Sequence, residues 1–307
     1  MTQVMKGEEG AEMMRDGEQS RAWLIIGAGR LGRMMGLMAR ALGVELACTW
    51  NRDEQGASET AALLDIEKGC ACSGPLTTVR GCIESYTRLV IWVTVVDDVI
   101  EEVVRQLVDW VEDRDVVLVH TAGSLSSTLF REVGVRGDRV AVASLHPLQA
   151  IADPVSGFEM MGECVWTLEG DAEARAYLMR LMSRVGVVPL EIESGEAKVM
   201  YHASAVTAAN LLVALMDAAY EMARAAGLSM TQAREMLLPL ARSSLENLGS
   251  KSPAEALTGP AARGDAGTIA RHEQALERHD EGLLVVYSVL TQRAWELMER
   301  ESEVEEM

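Results

Sequence analysis

The hexapeptide Gly27-Ala28-Gly29-Arg30-Leu31-Gly32 constrains this chain more than any other feature. Alone, G-x-G-x-x-G is a weak signal. Here it directly follows the apolar run Ala22–Ile26, which reads as a buried parallel strand. It opens the amphipathic stretch from Arg30 to Leu42, with Leu31, Met34, Met35, Met38 and Leu42 at helical spacing. A second strand follows from Val44 to Trp50. That context turns the motif into a phosphate-binding turn. The first glycine makes the tight turn, and the second lets the backbone approach a pyrophosphate. The third lets helix and strand pack closely, and the helix N-terminus supplies amide donors.

The pattern then repeats. Thr87 to Val96 and Val116 to His120 read as strands, with a helix from Asp97 to Val111 between them and Asp97 or Asp98 as its N-cap. Val140 to Leu145, Cys164 to Leu168 and Val187 to Ile192 read as further short strands. Strands alternating with helices predict an α/β fold, a doubly wound Rossmann-type sheet. After Ile192 the chain reads as all helix: Glu196 to Ala226 as one long helix, Ser229 to Leu248 kinked or ended by Pro239, then Ala266 to Arg278 and Glu281 to Glu299. At about 100–200 residues per domain, a length of 307 fits two domains. The expected division is a disordered acidic tail over 1–20, a dinucleotide-binding domain over 21–193 and an all-helical C-terminal domain over 194–307 for substrate and dimerisation. Glu299 to Met307 reads as a second solvated, charged end.

Composition narrows the partners. A hydrophobic fraction of 49% supplies a core and excludes wholesale disorder. The net charge of −19 repels phosphate backbones and anionic membrane surfaces, so neither nucleic acid nor membrane is an expected partner. No stretch reaches the ~20 uninterrupted apolar residues of a membrane span, and residues 1–20 are no signal peptide. A cytoplasmic location is expected. Cys48, Cys70, Cys72, Cys82 and Cys164 are odd in number and scattered, and Cys70-x-Cys72 is too tight for a zinc knuckle. They read as small apolar residues, and no metal is expected.

The chemistry should lie beyond the carboxyl ends of the strands. The second strand ends in Trp50-Asn51-Arg52, where a carboxylate would hold the ribose 2′-OH of NAD. Arg52 suits a 2′-phosphate instead, which favours NADP (NADPH) over NAD. Asn51 with Arg52, Thr94 with Val95, and His120 with Ser124 complete the expected cofactor contacts beside the glycine turn. Ser124 and His146 fall at successive strand ends and are candidates for substrate contact, with His146 also a catalytic candidate. Lys198 and His202 are four apart and share a helix face, suited to proton donation to a carbonyl oxygen. Asn210, the fourth catalytic candidate, lies about 120° around that helix from Lys198. Arg263 could clamp a substrate carboxylate.

These motifs resemble a bacterial family that joins a Rossmann-like domain to a domain of unknown function, DUF2520. That family lies within the 6-phosphogluconate dehydrogenase-like superfamily, near F420-dependent NADP reductases, pyrroline-5-carboxylate reductases and ketopantoate reductases. The matching pieces are GAGRLG at Gly27–Gly32, WVTVVDD at Trp92–Asp98 and HTAGS at His120–Ser124. SLHPLQ at Ser144–Gln149, KVMYHASAVTAAN at Lys198–Asn210 and GPAARGD at Gly259–Asp265 complete the set. The resemblance implies a hydride-transfer site and a homodimer formed through the helical domain. In the wider superfamily a substrate-domain helix carries Lys-x-x-x-Asn. Lys198 fits the lysine, and His202 stands where the asparagine would be.

The expected activity is that of an NADP-dependent oxidoreductase acting on a C=O or C=N bond of a small anionic metabolite, with a ketopantoate-like 2-oxo acid as one candidate. The alternatives are a non-catalytic, redox-sensing NADP-binding module and an F420-linked NADP oxidoreductase.

Overall fold

The computed structural model describes residues 21–149 and 151–305, so the expected tail over 1–20 lies outside the described residues. Eight strands form one sheet: β1 (Ala22–Ile26), β2 (Leu46–Asn51), β3 (Ala71–Ser73), β4 (Arg88–Val93), β5 (Asp115–His120), β6 (Val140–Pro147), β7 (Trp166–Gly170) and β8 (Leu190–Glu191). Their order is β3-β2-β1-β4-β5-β6-β7-β8. Every pairing is parallel except that of β6 with β7. The order reverses between β1 and β4, the place where an open α/β sheet offers a ligand crevice.

Alternation along the strands builds the two cores. Leu24, Ile26, Ile91, Val93 and Leu118 point to one face, where Val104 and Leu107 of the helix Asp97–Val111 and Phe130 cover them. Trp23, Ile25, Val90, Trp92 and Val119 point to the other, against Met34, Met35 and Met38 of the helix Arg30–Ala41. Leu178 and Met182 of the helix Ala172–Ser183 extend that second layer. Trp23 and Trp92 meet there, with ring centroids 5.0 Å apart. A sheet covered on both faces needs nearly continuous apolar strands, which is what the sequence supplies.

The chain divides into two compact units, one ending at Ala205 and the other beginning at Val206. In the second unit all the described elements are helical: Asn210–Ala225, Met230–Leu248, Pro253–Ala256, Ala266–Glu277 and Glu281–Glu305. Three expectations are corrected here. The single helix expected from Glu196 to Ala226 is two helices, Glu196–Ala208 and Asn210–Ala225, with Ala209 between them at φ −114° and ψ −65°. Of the two outcomes expected at Pro239, a kink or an end, the end does not occur, since the helix Met230–Leu248 runs through it. The charged C-terminal stretch is helical as far as Glu305 rather than a loose end.

Glu196–Ala225 has the length and hydropathy of a membrane-crossing segment by composition, with a mean hydropathy of 1.5 over its most apolar 18 residues. Its apolar residues form no unbroken run, because Tyr201, His202, Ser204, Thr207 and Asn210 interrupt them between Val199 and Met216 without adding acidic or basic charge of the Asp, Glu, Lys or Arg kind.

Candidate functional site

The glycine turn is built so that side chains cannot enter it. Gly27 has φ +94°, and a Cβ there would lie 2.6 Å from Val95 Cγ1 and 2.7 Å from its backbone nitrogen. A Cβ on Gly32 would lie 2.5 Å from the Gly27 carbonyl oxygen and 2.7 Å from Thr94 Oγ1. Gly29 differs: a Cβ there would meet only the Gly27 oxygen, at 3.9 Å. So the outer two glycines pack the turn against the segment that follows β4, Thr94 and Val95, and the middle one is open to an approaching ligand.

Backbone bonds fix the turn in place. Gly27 N and Ala28 N both donate to Trp50 O, at 2.9 and 3.0 Å, and Thr94 N donates to Ile26 O at 2.8 Å. The helix Arg30–Ala41 begins at Gly29 with no side-chain cap. The amides of Arg30, Leu31 and Gly32 therefore have no intrahelical acceptor. An uncapped N-terminus over an open glycine fits a pyrophosphate.

Several expected cofactor residues prove to build this cradle. Thr94 Oγ1 donates to Gly27 O at 2.9 Å. Asn51 is buried, with Nδ2 donating to Ala28 O at 2.8 Å and Oδ1 accepting from Thr60 Oγ1 at 3.2 Å. Asp53 caps the helix Glu54–Leu64 by accepting from Gly56 N at 2.8 Å. Arg52 is exposed and makes no ion pair among the described residues. Arg30 is exposed as well.

A second group lies at the same edge of the sheet. Sheet register sets His120 beside Ser144 and Ser144 beside Glu169, across β5, β6 and β7. Glu169 is buried, and four donors satisfy its carboxylate. Ser127 gives its amide and its hydroxyl, both at 2.7 Å, Ser194 gives its hydroxyl at 2.7 Å, and Lys198 Nζ lies at 3.2 Å. Lys198 also donates to Ser144 Oγ, which donates in turn to Ala122 O at 3.3 Å. Burial pushes Glu169 up. The Ser194 bond, the Lys198 charge and the Ser127 bonds outweigh that and hold it below the usual carboxylate range. Burial pushes the Lys198 ammonium down, with Glu169 pulling it back.

Above this pair sit the two histidines. His146 Nδ1 is 3.2 Å from Tyr201 Oη, and its ring centroid is 5.4 Å from that of His202. Burial, with His202 and Lys198 adding to it, brings His146 down to about 4, so it is neutral at neutral pH. His202 is half-buried, and its Nδ1 has no hydrogen-bond partner. The ring lies where a side chain on Gly123 would have to be. Ser124 donates to Asp97 at the start of the helix Asp97–Val111. That helix begins after Val96 as its N-cap rather than after either aspartate.

The structure thus brings Lys198, His202, His146 and Ser124 together in the first unit. His120, expected at the cofactor, is wholly buried against Phe130 and accepts from Ala122 N at 3.2 Å, which holds the turn after β5. Burial pushes it down to about 3. Asn210 and Arg263 belong to the second unit and are exposed there. Asp265, in the same loop as Arg263, caps the helix Ala266–Glu277 by accepting from Thr268 N at 3.0 Å.

Sequence reading missed Glu169, Ser127, Ser194 and Tyr201. It also missed that three of the five cysteines, Cys48, Cys72 and Cys82, meet in one cluster.

Fold and glycine cradle together define the class, a doubly wound Rossmann-type domain followed by helices. Residues 164–294 match the family model described as Domain of unknown function (DUF2520), in keeping with the resemblance of the motifs. The search among curated proteins found no match.

Among solved structures, protein TM1727 from Thermotoga maritima is 25% identical, with 92% of this chain and 100% of that one covered and a TM-score of 0.68. A proposed NADP oxidoreductase from Bacteroides fragilis, BF3122, is 21% identical over 90% of this chain and 98% of that one, also at 0.68. A reductive aminase from Aspergillus terreus, in complex with NADPH and ethyl-5-oxohexanoate, is 16% identical over 90% and 94%, at 0.60.

Proposed function

We propose that this protein is an NADP-dependent oxidoreductase that transfers hydride to or from a C=O or C=N bond of a small anionic metabolite. One observation carries the reading. A cradle that rejects side chains and a cluster of ionisable groups stand at the same carboxyl edge of one sheet, within one compact unit.

The amides of Arg30, Leu31 and Gly32 would hold the pyrophosphate, and Gly29 would leave room for it. Asn51 is committed to the turn and Asp53 to a helix cap. Arg52 is then the group at the end of β2 with charge to offer, and it matches a 2′-phosphate. Bound NADPH supplies the hydride. His202 is half-buried with Nδ1 closed to solvent, so its other ring nitrogen, Nε2, would be the one to give a proton to the carbonyl oxygen or imine nitrogen. Neutral His146, held by Tyr201, orients the substrate beside it. Lys198, shut away from solvent, acts as a positioning residue: its ion pair with Glu169 fixes the helix that carries Tyr201 and His202. The similar fold of a reductive aminase that binds NADPH and an oxo ester supports a carbonyl or imine substrate.

The working form is proposed to be a homodimer built on the helical unit. Val213, Leu240, Val285 and Val289 there are all more than half exposed, and a second copy would cover such a surface. The acidic charge and five free thiols suit a cytoplasmic setting.

The test is calorimetric titration with NADPH and NADH in parallel, repeated on Arg52→Ala. Tight NADPH binding that the variant loses, with NADH binding weak in both, supports the reading. A screen of 2-oxo acids, ketopantoate included, and of cyclic imines then follows. Binding without turnover across that screen points to a redox-sensing module, and no binding of either nucleotide overturns the proposal.

A further inference from the structure

We propose that Cys48, Cys72 and Cys82 form a three-thiolate site for a soft monovalent metal ion, with Cu(I) the best match. The three residues come from different elements: Cys48 from β2, Cys72 from the edge strand β3, and Cys82 from the short helix Arg80–Ile83. Their sulfurs all lie within 4.8 Å of one another. Cys48 Sγ is 3.4 Å from Cys72 Sγ, which is 3.5 Å from Cys82 Sγ. With metal–sulfur bonds of about 2.3 Å, a planar three-coordinate site needs sulfurs about 4 Å apart. The two spacings fall about half an ångström short of that value, so small side-chain rotations suffice. A disulfide needs about 2.05 Å, a larger change at each pair.

The donor set decides between ions. Thiolates select Cu(I) and zinc over harder cations. A structural zinc site closes with four ligands, all nitrogen, sulfur or carboxylate. Beyond the triad, the atoms that hydrogen-bond these sulfurs are backbone carbonyls, and the Cys70 thiol, though near enough to act on Cys72 and Cys82 through its charge, lies outside the group of sulfurs within 4.8 Å. Gly69 O lies 3.6 Å from Cys82 Sγ and 3.9 Å from Cys72 Sγ, and Thr78 O lies 4.0 Å from Cys72 Sγ. Three sulfurs without a fourth side chain suit an ion content with trigonal coordination, which Cu(I) is. Each thiol that ligates gives its proton to solvent as its metal–sulfur bond forms. No oxidation state changes. Cys48 is fully buried while the other two are half-buried, so the ion would enter from the side of Cys72 and Cys82. Once bound, it would tie the three-residue strand β3 to the sheet.

The experiment uses the full-length protein, reduced and metal-free under anaerobic conditions. Cu(I) is titrated against a chromogenic Cu(I) chelator, with Zn(II) in a parallel arm. The expected result is one Cu(I) per chain, with ultraviolet thiolate-to-copper absorption and proton release. Cys72→Ser and Cys82→Ser should each lose it, and Cys164→Ser should keep it.

A second measurement needs no variant: Cu(I) should protect Cys72 and Cys82 of the natural protein from alkylation while Cys164 still reacts. Three results of the metal titration would overturn the site, and one further result without metal would as well. They are no stoichiometric uptake, uptake that survives Cys72→Ser, or Zn(II) displacing Cu(I) in a manner that requires Cys70. A loss of two thiols on exposure to air without metal, traced to a bond within the triad, would overturn it in favour of a disulfide.

Discussion

Lys198 Nζ stands 3.2 Å from Glu169 Oε1, and both side chains are only 1% exposed although the residues are 29 apart in sequence. Two opposite charges removed from water this completely must satisfy each other. Here they do so with help: Ser127 and Ser194 fill the carboxylate's remaining acceptor sites, and Ser144 Oγ accepts a hydrogen bond from the ammonium. The arrangement joins a strand that runs antiparallel to its neighbour to the helix that carries His202. It is the link between the fold and the candidate chemistry.

Breaking one side of this pair should cost far more than removing both. Lys198→Met leaves the Glu169 carboxylate buried without its counter-charge, and such losses run to about 3–5 kcal/mol. Glu169→Gln strands the ammonium in the same way. The double variant should recover a substantial part of the loss, because neither charge is then orphaned. Urea denaturation of the four proteins measures this. Additive losses in the double variant would show that the two groups do not interact.

Half-buried His146 gives stability a pH dependence of known sign. His146 sits at about 4 in the folded chain, below the ordinary 6.5. The unfolded chain therefore binds more protons between those values, so stability rises with pH there. It should fall as the pH drops from about 6.5 towards 4 and stop responding to this residue below that. Denaturation midpoints collected from pH 7 to pH 4 should show a shallower slope for His146→Gln than for the unchanged protein. Equal slopes would mean that His146 titrates normally.

How much of this was legible depends on how local each signal is. The turn Gly27–Gly32 was readable because its three glycines and their spacing are contiguous in the chain, even though Gly27 and Gly32 pack against Thr94 and Val95. The same holds for the strand and helix on either side of it. Glu169 was not readable. The strand was expected to end at Leu168, and what makes Glu169 matter is its register beside Ser144 in an antiparallel pairing. The one signal available was a carboxylate alternating with Trp166 and Leu168 in an apolar strand. The thiol cluster was hidden for a related reason, because residues 24 and 10 apart meet only after β2 and β3 pair. Asn51 and Thr94 were placed in the right region, yet their side chains turn inward to brace the cradle. Lys198 and His202 were legible as a pair because helical spacing alone puts them on one face.

Two of the glycines should fail in different ways. Gly32→Ala drives a methyl group to 2.5 Å from the Gly27 carbonyl oxygen, a backbone atom with nowhere to go. Both the thermal midpoint and NADPH binding should fall. Gly29→Ala meets nothing closer than 3.9 Å, so its melting curve should match that of the unchanged protein. Its methyl group would still occupy the approach of the phosphate, and nucleotide affinity should drop on its own. Calorimetric titration beside thermal unfolding separates the two cases. Full nucleotide affinity in Gly29→Ala would remove the cradle from the binding site.

Gly123→Ala tests His202 without touching it. The added methyl group would land on the imidazole ring, near Nδ1 and Cε1. A side-chain ring can swing away where a backbone carbonyl cannot, so the fold should survive and His202 should move. The phosphate cradle lies after β1 and β4, and the atoms nearest to a Cβ on its glycines come from Gly27, Thr94 and Val95 rather than from the β5 turn that carries Gly123. NADPH should therefore bind as before, while turnover on an identified carbonyl or imine substrate should drop by about a hundredfold or more, the scale on which a positioned general acid acts. The loss should appear in kcat rather than in KM, since the displaced group serves the proton transfer and not the grip on the substrate. Unchanged kcat in Gly123→Ala, with the ring shown to have moved, would exclude His202 as the proton donor.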